Sequence, residues 1–347
     1  MGDPAGVGPL VTVQALARVP RVLESHRIVV VGTSADLEAA ARTVGCEWDT
    51  TTISLPHRGR ARVGVVTNHL DIPPGRVGIL VPEGVPDLAA TPGHPTIEGG
   101  RAQLAFIDAA LGLVTGGLAD ALVTGPVSKV SICRALGGES FTGHTEHLAR
   151  AAGVATDAVT MIFIGPRLRV ALVTTHLPLA DVPRALTVDR IAWTLSRVVT
   201  ALRDRWRIDR PRVVVLGLNP HAGEDGILGS EERTVIAPAI ARFRASPEAR
   251  GAEVAGPAPS ETGIRDVLEG RFDCAVAMYH DQATIACKLL EKGRSVNLTL
   301  GLPFVRTSVD HGVAYDAAAS GTADPGSMIA ALELAARLTD ATPRSGP

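Results

Sequence analysis

Three histidines each follow directly on a short run of aliphatic residues: His176 in VALVTTHLP, His221 in VVVLGLNPHAGE and His280 in CAVAMYHDQ. In an open α/β sheet functional groups gather at the carboxyl ends of strands. Three imidazoles in that position suit a divalent cation that keeps coordination places open for substrate oxygens, as a catalytic rather than a structural site requires. A lone histidine at a strand end is more often a polar residue satisfied by backbone. Three in equivalent positions shift the balance toward a metal.

His144 and Thr145 lie in FTGHTEHLA, where a helix is expected to begin. In one reading Thr145 is the N-cap, although no glutamate or glutamine follows three residues later. In the other, the free N–H groups of the helix start join imidazole and hydroxyl donors in holding an anion. Lys129 in TGPVSK, Lys288, and Arg306 in GLPFVRTS are cations of the kind a phosphorylated substrate needs, though surface lysines are normally just solvated. The segments NLTLGLPFVRTS and VDHGVAYDAAASGTADPGS place Asn297, Arg306, Asp310, His311 and Asp316 in one polar, glycine-rich region that reads as a long functional loop. GDPAGVGPL at Gly2–Leu10 is a second such loop, able to bring backbone amides near a ligand or to serve as a plain tight turn. It does not match G-x-G-x-x-G, and neither a P-loop lysine motif nor a G-x-S-x-G elbow occurs. Glu224, Glu231, Glu232 and Glu291 read as cap or surface carboxylates rather than a glycosidase pair.

Alternating strands and helices must position these groups. Strands are expected at Arg27–Gly32, Ala121–Thr124, Val159–Ile164, Arg169–Thr175, Arg212–Leu218, Cys274–Met278 and Ser295–Leu300. Helical patterns follow at Val7–Ala17, Ala35–Arg42, Ile97–Leu113, Glu146–Ala152, Val188–Arg205, Glu231–Ala245, Glu261–Leu268, Gln282–Leu290 and Pro325–Arg337. That alternation is the α/β signature. Trp48–Ala90 breaks the rhythm: its short apolar runs Val63–Val66 and Val77–Val81 sit among scattered Pro and Gly, and the stretch reads as an irregular excursion. Ala341–Pro347 reads as a disordered tail.

The 347 residues carry 34 Lys+Arg against 36 Asp+Glu, a net charge of −2 that excludes a polybasic nucleic-acid binder. Aromatics at 3% leave no stacking platform for single strands. The four cysteines form no C-x-x-C pair, so neither a disulfide framework nor a thiolate zinc site is expected. No apolar run approaches the ~20 residues of a membrane span, and the chain reads as cytoplasmic.

GDPAGVGP, HPTIEGG, TGPVSK, GHTEHLA, RVALVTTHLPLADVP, NPHAGEDGILGSEE, GPAPSET, AMYHDQ and VNLTLGLPFVRTSVDHG resemble, in order and across nearly the whole chain, the 4-hydroxythreonine-4-phosphate dehydrogenase (PdxA-type) family of vitamin B6 synthesis. The closing HGVAYDAAASGTADP is similar to the adenine-side cofactor loop of isocitrate and isopropylmalate dehydrogenases. The resemblance implies a two-lobed α/β fold like theirs, with the active-site cleft between the lobes and at the interface of a homodimer. Residues 1–120 with 300–347 would form the cofactor-side lobe, and 121–299 the substrate and dimerisation lobe. It implies metal ligands His176, His221 and His280 drawn from both subunits, with zinc, magnesium or cobalt as the ion. Substrate contacts would fall on His144, Thr145, Lys288, Asn297 and Arg306, and NAD or NADP would lie along His311, Gly312 and Asp316. Lys129 or Asp281 would relay the proton. The implied reaction oxidises a hydroxyl of 4-phosphooxy-L-threonine to a β-keto acid, which loses CO₂ to give 3-amino-2-oxopropyl phosphate.

The chain departs from the family pattern at Leu10, commonly glutamate, and Ser128, commonly asparagine, and it varies within HDQATIACKLL and DAAASG. The family usually has a short strand ahead of GDPAGVGP, so that edge is expected to be truncated or remodelled. Relatives act on D-threonate or D-erythronate 4-phosphate or on cyclic dihydrodiols; Lys288, Asn297 and Arg306 favour a phosphorylated acid. An inactive metal- or metabolite-binding homologue and a phosphate acyltransferase are the readings from other classes, and the intact histidine set disfavours both.

Overall fold

The computed structural model describes residues 1–46, 50–53, 72–73, 75–87, 89–138 and 141–340. Its strands are β1 (Ile28–Val31), β2 (Thr50–Thr52), β3 (Val77–Leu80), β4 (Ala121–Thr124), β5 (Thr160–Ile164), β6 (Arg169–Leu172), β7 (Arg212–Leu216), β8 (Glu253–Ala258), β9 (Cys274–Ala277), β10 (Val296–Leu300) and β11 (Val305–Ser308). The fold is α/β, and the chain divides into two compact units, Met1–Thr156 with Pro303–Thr339, and Asp157–Leu302.

In the first unit a parallel sheet of order β1-β3-β2 is centred on β3, whose Val77 pairs with both Ile28 and Thr50. β4 and β11 form a second parallel pair, with Val305 against Ala121 and Ser308 against Thr124. The Gly8–Leu16 and Ser34–Val44 helices pack Leu10, Val13, Leu16, Leu37 and Ala40 onto Val30, Val77 and Ile79. The long Ile97–Thr115 helix starts at Thr96, whose hydroxyl accepts from Gly99 N at 2.9 Å, and buries Ala102, Phe106 and Leu113 against Val31 and Leu80.

The second unit holds six strands in the order β10-β5-β6-β9-β7-β8. β5 runs antiparallel to both β10 and β6, while β6, β9, β7 and β8 are parallel. Central parallel strands are buried on both faces and so read as continuous aliphatic runs. Val213, Val214, Val215 and Leu216 are all at most 1% exposed. Burying each such side chain contributes about 1.5–3 kcal/mol. Val188–Trp206, capped by the Thr187 hydroxyl, covers one face with Ile191, Leu195, Val198 and Leu202. No helix among the described residues is long and apolar enough to cross a membrane.

Three expectations need correction. The stretch Trp48–Ala90 is not simply irregular, since β2 and β3 lie in it; its Val63–Val66 run falls outside the described residues, as does the Ala341–Pro347 tail. Arg306 lies not on a long loop but on β11, where Val305–Ser308 is buried throughout. Asn297, by contrast, lies on β10 as the expected Ser295–Leu300 strand requires. Glu291 and Glu232 are not surface carboxylates: they are 0% and 5% exposed.

Candidate active site

His176 and His280 are brought together by the sheet. Beyond their strands, β6 and β9 stay in register: Val173 N donates to Ala277 O at 2.9 Å, and the Thr174 hydroxyl to Met278 O at 2.7 Å. His176 follows in the exposed loop after β6, and His280 opens the His280–Glu291 helix after β9. Their ring centroids are 5.4 Å apart. His280 Nδ1 lies 2.7 Å from Asp281 Oδ1, so a proton held there leaves Nε2 as the lone-pair nitrogen.

His221 leaves β7 differently. His221, Ala222, Gly223, Glu224 and Asp225 have φ of 52°, 53°, 84°, 42° and 53°, a left-handed turn in which four residues carry a Cβ. Each of those four costs on the order of 1–2 kcal/mol relative to ordinary backbone. The turn leaves the His221 ring exposed. Gln282 links this strand end to the His280 helix: its Oε1 accepts from Met278 N at 2.6 Å and its Nε2 donates to Gly217 O at 2.7 Å. Imidazole nitrogens are the donors a divalent transition ion prefers, so the residues fit a metal chemically. Among the described residues, however, no group of three histidine, cysteine, aspartate or glutamate side chains gathers in one chain.

Lys288 is exposed, two turns along the helix that His280 begins. Asn297, half-buried on β10, has a buried Oδ1 with no protein donor, an acceptor position for a ligand N–H or O–H.

In the first unit a cationic group gathers around His144. This residue opens the His144–Ala151 helix, whose N-cap is Gly143 at φ 141°, so Thr145 is not the cap but stands in the first turn. A Cβ on Gly143 would lie 3.3 Å from Lys129 Nζ, which places that ammonium beside the helix start. Burial, reinforced by the Arg306, His147 and Lys129 charges, pushes the His144 pKa well below the usual histidine value, so the ring is neutral at neutral pH. Arg306 is 2% exposed and donates to the Thr124 hydroxyl at 2.8 Å. Burial lowers its pKa to about 10, with Glu146 opposing the shift.

The 311–316 segment is pinned to the glycine-rich start of the chain. Val7 N donates to Val313 O at 2.9 Å, and the Tyr315 phenol donates to the buried carboxylate of Asp3 at 2.7 Å. The approach is so close that a Cβ on Gly6 would sit 2.8 Å from Val313 O. His311 Nε2 is buried without a protein partner, and a Cβ on Gly312 would meet nothing within 4 Å, so that glycine leaves open space. Asp316 is exposed at the start of the short Tyr315–Ser320 helix. Beside that helix a cavity of about 200 Å³ is lined by Gly6, Leu10, Asp36 and Ala319 among others, below the 300–1,000 Å³ usual for ligand pockets.

The sequence model described as "Pyridoxal phosphate biosynthetic protein PdxA" matches residues 24–335. The chain belongs to the PdxA family. A PdxA-family relative from Burkholderia vietnamiensis, named 4-hydroxythreonine-4-phosphate dehydrogenase, is 42% identical over 338 residues, covering 96% of this chain and 93% of that protein. The crystal structure of a 4-hydroxythreonine-4-phosphate dehydrogenase from Klebsiella pneumoniae matches with a TM-score of 0.80 at 34% identity over 98% of both chains. A terephthalate 1,2-cis-dihydrodiol dehydrogenase from Burkholderia xenovorans matches with a TM-score of 0.62 at 28% identity, covering 97% of this chain and 96% of that one. The PdxA fold is thus found with more than one named substrate.

Proposed function

We propose that this PdxA-family chain is a metal-dependent, NAD- or NADP-linked oxidoreductase that converts 4-phosphooxy-L-threonine to 3-amino-2-oxopropyl phosphate and CO₂. The observation that carries the substrate reading is the pair of cationic groups near the half-buried, neutral His144 at a helix start: Lys129, whose ammonium stands beside Gly143, and the buried Arg306, a grouping suited to an anion.

His176, His221 and His280 would hold the ion, with ligands contributed by both subunits of a homodimer. One feature supports this: large exposed apolar side chains lie close in sequence to each histidine. Leu177 and Leu179 follow His176, Ile227 and Leu228 follow His221, and Ile285 with Leu289 project from the helix that His280 begins. Exposed apolar side chains beside all three candidate ligands fit a surface that a second subunit covers.

An ion held by these histidines would supply polarisation of the substrate hydroxyl, and a bound nicotinamide would supply the hydride acceptor. Arg306, fixed by Thr124, binds the anionic end of the substrate, and Lys288 adds a second cation. Neutral His144 and the Thr145 hydroxyl orient oxygens without adding charge. Asn297 Oδ1 accepts from a substrate N–H or O–H. Lys129 Nζ relays the proton, and Asp281 holds the His280 ring in one tautomer. His311 and Gly312 would receive the nucleotide, with Asp316 next to them.

The test is reduction of NAD and of NADP by purified, metal-supplemented protein, followed by absorbance. The substrates are 4-phosphooxy-L-threonine and, separately, the 4-phosphates of D-threonate and D-erythronate. Turnover of the amino acid is expected; turnover of the sugar acids alone would move the chain to sugar-acid catabolism, and silence on all three with metal bound would reject a phosphorylated substrate.

A further inference from the structure

The turn carrying His221 is strained and four-fifths non-glycine, yet one end of it is anchored by the buried carboxylate of Glu232. Glu232 Oε1 accepts from the backbone N–H groups of Leu218 at 2.8 Å and Asn219 at 2.7 Å. Its Oε2 accepts from Asn219 Nδ2 at 2.9 Å. Asn219 O in turn accepts from Ala222 N at 3.1 Å, so the bonds run from Glu232 through Asn219 to the residue after His221. The socket is walled by glycines. A Cβ on Gly217 would lie 3.2 Å from Oε1, one on Gly223 2.6 Å from Oε2, and one on Gly229 2.2 Å from Asn219 Nδ2. At Gly223 and Gly229 no side chain larger than hydrogen fits without moving the carboxylate or its partner, and at Gly217 a Cβ would press on the Ala222 backbone of the turn itself at 2.8 Å.

We propose that Glu232 is the positioning residue for His221, holding the left-handed turn so that the imidazole is presented to a divalent ion before the ion arrives. This rests on the reading of His221 as a metal ligand. Glu232 touches neither substrate nor ion in this role; it acts through Asn219 and the turn. Preorganisation of this kind sets ligand affinity because an unanchored turn relaxes toward ordinary backbone and must be strained again on binding.

The experiment measures Zn²⁺ affinity of the metal-free protein by chelator competition and records the Co²⁺ absorption spectrum, for the parent, Glu232→Ala, Glu232→Gln and His221→Ala. Far-UV circular dichroism checks the fold. Glu232→Ala is expected to bind Zn²⁺ about 10- to 100-fold more weakly and to alter the Co²⁺ spectrum. Glu232→Gln, whose amide oxygen still accepts from Leu218 and Asn219, should recover part of the loss. His221→Ala should lose tight binding altogether. Loss in His221→Ala with parental affinity and spectrum in both Glu232 variants overturns the positioning role and leaves the ligand reading intact. Parental affinity in His221→Ala overturns the ligand reading, and the proposal with it. Should the alanine variant fail to fold, the glutamine variant decides: a weaker affinity and shifted spectrum support the role, and parental values reject it.

Discussion

Asp281 Oδ1 and His280 Nδ1, adjacent in sequence at the first turn of one helix, stand 2.7 Å apart, and that bond selects which imidazole nitrogen is left with its lone pair. Carboxylates placed behind a metal-binding histidine fix its orientation and raise its basicity, and removing one typically costs 10- to 100-fold in affinity or activity. Asp281→Ala is therefore expected to weaken metal binding by about 10-fold or more while leaving the melting curve near that of the parent, because Asp281 is exposed. Equal metal affinity in titrations of parent and variant would make the contact incidental.

Arg306 offers a different split. A charge-assisted bond to an anion is worth about 1.5–3 kcal/mol, so Arg306→Ala should raise KM for the phosphorylated substrate by about 10- to 100-fold. The KM for the nucleotide should change far less. Steady-state kinetics varying each substrate in turn would expose an equal effect on both, which would count against an anion-binding role.

His144 ties stability to pH. Its folded-state pKa lies well below the unfolded value of 6.5, mainly through burial, so the unfolded chain takes up a proton that the folded chain refuses. Its contribution is fully present above the unfolded value and is lost as pH falls from about 6.5 toward the depressed folded value. Urea denaturation at a series of pH values should show this slope in the parent and a shallower one in His144→Gln. Matching slopes would mean that His144 titrates alike in both states.

Tyr315→Phe removes one donor from a carboxylate that is 0% exposed. A buried acceptor deprived of a partner costs about 1–3 kcal/mol, and the loss should appear as a lower denaturant midpoint at unchanged m-value. Because the same bond anchors the 311–316 segment, the KM for NAD or NADP should rise as well. A midpoint within error of the parent would show that Asp3 finds its hydrogen bonds elsewhere.

The positions of His176, His221 and His280 are legible in the sequence because aliphatic runs mark buried strands and chemistry collects where such strands end. Arg306 was recognisable as a functional cation but not as a strand residue: Arg306, Thr307 and Ser308 are polar and follow Gly301 and Pro303, a composition that imitates a loop. β8 was missed for a similar reason, since Gly256 and Pro257 interrupt its apolar pattern. Glu232 was out of reach. Its role depends on three glycines and two amides converging on one carboxylate, and no spacing rule announces that convergence. In the sequence its only mark is GSEE, separated from NPHAGE by DGIL, a pair of acids downstream of a glycine-containing turn.

The pairing of β11 with β4 also bears on how the chain is made. Thr124 Oγ1 donates to Thr307 O across 183 residues of sequence, and those intervening residues include the whole of the 157–302 unit. As the polypeptide leaves the ribosome, that contiguous unit has every one of its strands available and can condense first. The N-terminal segment must wait for β11 and the Gly326–Asp340 helix to emerge before its β4 edge finds its partner. Chains that end at Leu302 and have been released from the ribosome should therefore protect 157–302 from protease while 1–156 remains cleavable.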